Sequence, residues 1–172
     1  MVKNIQSKNS YLKKDDSFSS YKKMIETTNG LSLSQVCSIT NLEPYTIQNW
    51  VKRGYIPHPI NKKYYTKHLA RILTINALKE CMFIDDINSL MVYINGDVDD
   101  EADDIISEED LYQLFSNLVY NLKDYNKIEE LVKNSIKNNK LRKCMTIMLY
   151  AYVSGIMSKQ ANKHLQALKK EV

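Results

Sequence analysis

The chain has few residues that break helices, with four glycines and three prolines in 172 positions. A strand-rich sandwich needs such residues for its many turns, so it fits poorly. The abundance of Lys, Asn, Glu, Leu and Ile instead suits long helices with short connections. Cysteine is equally sparse: Cys37, Cys81 and Cys144 lie far apart, form no C-x-x-C pair and sit within apolar patterns. This argues against a disulfide framework and for reduced core thiols. No run of eighteen or more apolar residues occurs, and no charged stretch leading into an apolar run and a small-residue cleavage site opens the chain. Neither a membrane span nor a leader is expected, and the expected compartment is the cytoplasm. A glycine-rich phosphate loop, a nucleophile elbow and a His-Glu-x-x-His helix are also missing. His58, His68 and His164 have no carboxylate, serine or cysteine at a suggestive spacing. No catalytic residue, metal ligand or cofactor is therefore expected, and the chain reads as a non-enzyme.

What is present is enough apolar surface to fold, at 44% hydrophobic residues, and a segregated charge pattern behind the net +4. Residues 1–30 carry six Lys against three acids, and residues 31–80 carry seven Lys or Arg against two. Residues 81–130 carry two Lys against fourteen acids, and residues 131–172 nine Lys or Arg against one. A polyanion would be drawn to one part of the molecule and repelled by another.

Residues 1–30 read as a flexible N-terminal arm, with a helix emerging near Tyr21. After Gly30, Ser32 or Ser34 can cap a short helix that buries Leu33, Val36, Cys37 and Ile39. Asn41 sits where a left-handed residue is needed to reverse direction. Pro44 suits the first turn of the next helix, expected over 44–53, and Gly54 stops it. On a wheel of about 100° per residue, Ile47, Trp50 and Val51 share one face of this helix; Tyr45, Gln48, Asn49 and Lys52 share the other. Ile60 to Tyr65 reads as two short extended pieces around a turn near Asn61, a small β wing. Further helices are expected from Thr66, from Asp85 to Gly96, over 108–122, over 126–138 and over 141–168.

Helix, tight turn, polar-faced helix and basic wing is the layout by which a recognition helix enters the DNA major groove while nearby cations grip phosphates. Gln48 and Asn49 have the paired donor and acceptor that read an adenine edge, and Lys52 and Arg53 can reach a guanine edge or a phosphate. Tyr45 and Thr46 can bond phosphate oxygens. Lys62, Lys63 and Lys67, with Tyr64 and Tyr65 interleaved, would add salt-sensitive, sequence-independent affinity. The competing reading makes these residues an ordinary solvated face.

A resemblance is carried by Thr46-Ile47-Gln48-Asn49-Trp50, Gly54-Tyr55-Ile56-Pro57, Lys63-Tyr64-Tyr65 and Phe83-Ile84-Asp85-Asp86-Ile87. These motifs resemble the winged-helix head of MerR-like regulators. The run 31–96 is more closely similar to the family called domain of unknown function 1836, found in Firmicute bacteria. The MerR-like resemblance implies DNA contact by residues 44–53 and 61–65, and pairing of subunits through C-terminal helices. The chain departs from that pattern in having no Arg-rich wing, Trp50 where tyrosine or phenylalanine is usual, and no metal-binding cysteine cluster near its end.

The expectation is a mainly α protein with four parts. They are an arm (1–30), a MerR-like winged helix-turn-helix head (31–96), an acidic linker (97–107) and a C-terminal helical lobe for dimerisation or effector binding (108–172). Double-stranded DNA and a second copy of the chain are the expected partners. Residues 145–157, rich in Met and Tyr, suit either a small-molecule effector pocket or, more plainly, core packing or a dimer contact. Asp97, Asp99, Glu101, Asp103 and Glu108 have calcium-loop spacing, but Ala102 stands where the turn needs glycine, so an acidic linker is the simpler reading. The rival function is a protein-interaction adaptor with Tyr45, Trp50 and Tyr55 on its partner surface.

Overall fold

The computed structural model describes residues 16–96 and 104–170. The first fifteen residues of the expected arm, residues 97–103 of the acidic linker and the first four positions of the calcium-loop spacing lie outside them. The described residues are mainly α-helical. The helices are α1 (Asp16–Thr28), α2 (Leu33–Thr40), α3 (Pro44–Lys52), α4 (Thr66–Leu78), α5 (Ile84–Asn95), α6 (Glu108–Asn121), α7 (Ile128–Ser135) and α8 (Asn139–Leu168). A 3-10 turn (Tyr125–Lys127) precedes α7. None of the helices is long and apolar enough to cross a membrane.

α1 starts earlier than the sequence suggests because Phe18 is a core residue, its ring 4.8 Å from that of Tyr112 in α6. α2 opens on a capping box, in which the Ser32 hydroxyl accepts from the Gln35 N–H while Gln35 Oε1 accepts from the Ser32 N–H at 2.8 Å. It closes on Asn41 at φ 53, the left-handed residue expected there. Pro44 opens α3, and a Schellman closure ends it: the Tyr55 N–H reaches Trp50 O at 2.9 Å and the Gly54 N–H reaches Val51 O at 3.0 Å.

α4 is the centre of the molecule. Every residue from His68 to Ile75 is buried, as expected of a helix covered on all sides. It packs on α1, α2, α5, α6 and α8. Helices from both sides of residues 97–107 thus share one apolar cluster that includes Phe18, Ile47, Leu69, Phe115 and Met148. Each fully buried aliphatic or Phe side chain there contributes about 1.5–3 kcal/mol.

Two features differ from the sequence reading. The described residues contain no strand: the β wing is reduced to one antiparallel bridge, Ile60 to Lys63, closed by hydrogen bonds of 3.0 and 2.9 Å. Asn61 and Lys62, at φ 50 and 62, form the two-residue turn with both φ positive that matches strand twist. Tyr64 then pairs with Leu31, through two bonds of 2.8 Å, and so leaves no second rung for a ribbon. Cys81 is exposed, unlike buried Cys144 and half-buried Cys37, because it lies in the turn beyond the end of α4.

Candidate nucleic-acid interface

α3 meets the core with Ile47, Trp50 and Val51 and turns Tyr45, Gln48, Asn49, Lys52 and Arg53 to solvent, with Thr46 half-buried at the margin. The α2–α3 turn is held from behind. Asn76 of α4 donates to the Thr40 carbonyl at 3.0 Å, and Leu42 is buried. α2 is therefore seated on α4 and α3 packs against α2, while the outward face of α3 contributes nothing to the core.

Arg53 is less available than its position suggests. Its guanidinium stands 3.5 Å from Asp85 of α5 and 4.8 Å from the Tyr55 ring centre. The Tyr55 hydroxyl donates to the same carboxylate, which raises the phenol's pKa and keeps it protonated. No periodicity signals this three-residue cluster, since Asp85 is more than thirty positions from Arg53 and reads only as a helix-start acid.

The turn 60–63 exposes Lys62 fully and Lys63 in part. It is fastened to the α1–α2 junction rather than to α3. A Cβ added to Gly30 would meet Lys63 Cβ at 2.8 Å, and the Tyr65 hydroxyl donates to Asn29 Oδ1 at 3.4 Å. Tyr65 and Lys67 are half-buried. The rival adaptor surface retains only Tyr45, 71% exposed, since Trp50 and Tyr55 are buried.

His68, which sequence reasoning left without a role, organises this region. Its Nδ1 accepts from the Tyr65 N–H at 3.0 Å, so the ring proton sits on Nε2, 3.1 Å from the His58 carbonyl it donates to. Burial lowers its pKa and holds it neutral. The contact ties the Pro57–His58–Pro59 segment to the start of α4.

Below the interface, buried Arg71 donates through Nε to the Tyr55 carbonyl at 2.6 Å, through one terminal nitrogen to Asn88 at 3.1 Å, and through the other to Glu108. One guanidinium thus joins the segment after α3 to α5 and α6. Burial pushes the Glu108 carboxyl up while Arg71 pulls it down, and Glu108 Oε2 has no partner. Residues 145–157, weighed as an effector pocket, core packing or a dimer contact, are divided: Met145, Met148, Leu149, Tyr152 and Val153 are buried, while Ile147, Tyr150 and Met157 are exposed. Among the described residues no group of three His, Cys, Asp or Glu could hold a metal ion.

Fold and surface define a mainly helical protein with a polar, partly basic helix face mounted on an apolar core. The chain belongs to the family described as Domain of unknown function (DUF1836), whose sequence model matches residues 19–115. That span takes in all but the start of α1, α2 to α5 and about the first half of α6. An uncharacterized protein of Bacillus subtilis (strain 168), YkrK, is 30% identical over 93 residues, which cover 52% of this chain and 40% of that protein. The match therefore spans less than half of this relative's length. No solved structure matches.

Proposed function

We propose that the protein is a DNA-binding regulator in which α2 and α3 act as a helix-turn-helix, α3 enters the major groove and the 60–63 turn serves as an abbreviated wing. The observation that carries this reading is the division of α3: three residues bury it, and its outward face is built of amide, hydroxyl and basic side chains. Gln48 and Asn49 would read base edges, and Lys52, Lys62 and Lys63 would neutralise phosphates. Tyr45 and Thr46 at the start of α3 would bond phosphate oxygens. Lys67 and Tyr65 would support the turn from its base. Arg53 would reach phosphate only by leaving Asp85. On this reading the head would be MerR-like with its wing cut to one turn, and the pairing of copies through C-terminal helices which that likeness implies would bring two such heads together.

The test is fluorescence anisotropy of the full chain on random and genomic-fragment duplexes across a salt series, beside the variant Gln48→Ala, Asn49→Ala, Lys52→Ala. Binding that weakens with salt, and that loses sequence preference in the variant, is the expected result. Absence of binding at low salt would sink the reading.

A further inference from the structure

Among the described residues, Lys52, Lys62 and Lys63 have no carboxylate within ion-pair distance, whereas Arg53 does. Arg53 is also the one cation of these four with a planar fork, suited to two acceptors at once. Its Nη2 stands 3.5 Å from Asp85 Oδ1, and its guanidinium lies over the Tyr55 ring. The same carboxylate oxygen accepts from the Tyr55 hydroxyl. The Tyr55 ring is buried, so Asp85 is anchored by a fixed donor and Arg53 is anchored in turn by both.

The backbone fixes where this restrained side chain starts. The Arg53 N–H donates to Asn49 O at 3.0 Å, which sets Arg53 one turn beyond Asn49 on the same strip of the outward face. The ion pair is made through one terminal nitrogen, and the Arg53 side chain stays 49% exposed, so the guanidinium can be reached while the pair stands. Two kinds of DNA acceptor then fare differently. A phosphate is an anion: it must displace the carboxylate, and Asp85 repels it. A guanine edge is uncharged and offers two acceptors, O6 and N7, so it can add to the pair without replacing it. A side chain already held also gives up less rotamer freedom when it meets a base.

We infer that Arg53 is a specificity-determining residue that reads a guanine beside the bases met by Gln48 and Asn49, with Asp85 and Tyr55 as its positioning residues. The inference rests on the DNA-binding reading and assigns a task within it. Its consequence is a pair of opposite changes from one substitution. Without the Asp85 charge, Arg53 is free to swing onto any nearby phosphate, so affinity for unrelated sequence rises. The same freedom costs the guanine contact its preparation, so preference for guanine falls. Loss of a merely structural contact would weaken both, and removal of a merely repulsive charge would strengthen binding to every duplex alike.

The test is anisotropy of the full chain over a salt series on three kinds of duplex. They are the duplex that wild type selects from a random pool, that duplex with each G·C pair exchanged in turn for A·T, and random sequence. Wild type is expected to lose about tenfold or more when one particular guanine is exchanged, and Arg53→Ala to be indifferent to that exchange. Asp85→Asn should bind random duplex up to about fivefold more tightly. It should also steepen the salt slope by about 0.9, for one added phosphate contact, and lose most of the guanine preference. Tyr55→Phe, which keeps the ring and removes the hydroxyl, should move the same way by less. Asp86→Asn, at the exposed neighbouring acid, matches the change of charge and should keep the preference. A selective wild type whose guanine dependence survives Arg53→Ala overturns the inference and leaves the DNA reading standing. So does an Asp85→Asn variant that keeps its preference or gains equally on every duplex. A wild type that binds no duplex at low salt sinks the DNA reading and the inference with it.

Discussion

Two side chains near the turn contribute to stability in ways their neighbours do not. His68 is buried, and its Nδ1 faces the donating Tyr65 N–H, so a second ring proton would break that bond. Its folded pKa is lowered from the ordinary 6.5, so below that pH the unfolded chain binds a proton that the folded chain refuses. Stability should be complete above pH about 6.5 and fall as the pH drops toward the folded value, at up to about 1.4 kcal/mol per pH unit from this group. Urea unfolding of the wild type and His68→Gln at neutral and mildly acidic pH checks this. The glutamine offers an acceptor and a donor without titrating, and the variant should lack that share of the acid loss. Lys62 is the opposite case, a side chain held at φ 62, where a Cβ is unfavourable. Lys62→Gly should raise the unfolding free energy by up to about 1 kcal/mol. In the DNA assay the same change should flatten the salt dependence by about one phosphate contact. Thermal unfolding and the salt series, run on one preparation, separate the two effects.

Between elements, the main polar tie is Arg71, which holds the segment after α3, α5 and α6 at once. Arg71→Ala would leave the Glu108 carboxyl buried without its partner, obliged either to take up a proton or to stay charged inside the fold, and should cost about 3–5 kcal/mol in denaturant unfolding. Arg71→Met with Glu108→Leu should recover most of that loss, because an apolar pair has no charge to desolvate. An unrecovered double variant would mean that Asn88 and the Tyr55 carbonyl depend on Arg71 more than Glu108 does. This tie also shows where reading the sequence stops. The Ser32 cap, the Asn41 reversal, the Pro44 start, the Gly54 stop and the buried face of α3 were legible, because each is written within one or two turns of helix. Arg71 and Glu108 are 37 positions apart and share no period, so Arg71 counted only as a cation and Glu108 as a helix-start acid. Asp85 escaped notice as a partner of Arg53 for the same reason. The wing was half-legible: Asn61 marked the turn, but the pairing of Tyr64 with Leu31, which ends the ribbon after one bridge, is long-range. In α8 the mixture of apolar residues was legible as core or interface, and only the packing shows which of them are buried and which are exposed.

For the whole molecule, the proposed head and the pairing of copies implied by the MerR-like likeness combine into a quantity neither yields alone. On the DNA-binding reading each head would offer the exposed Lys52 and Lys62 and the half-buried Lys63 as phosphate contacts, with Arg53 beside Asp85. A duplex neutralised at one site per lysine releases counterions with a slope of about −0.9 in log affinity against log salt for each contact, so one head should show a slope of roughly −3. A pair of copies joined through their C-terminal helices, as the MerR-like likeness implies, would bring a second head on the same particle. If both engage one duplex, the slope should approach roughly −5, and affinity at low salt should rise well beyond twofold, because the second contact is intramolecular. The acidic stretch, fourteen acids between residues 81 and 130, is repelled by the same duplex and limits how many further lysines can join. The comparison is therefore between wild type and the Leu165→Lys, Leu168→Lys variant, which charges two exposed apolar residues of α8 that such a pairing would cover, on a long duplex over a salt series. The variant gains two positive charges per chain, so tighter binding is what charge alone would give. A variant that binds more weakly and with about half the slope shows that both heads act together. Equal slopes would mean that only one head of each pair reaches DNA, and the two-fold arrangement would then serve assembly without bivalent recognition.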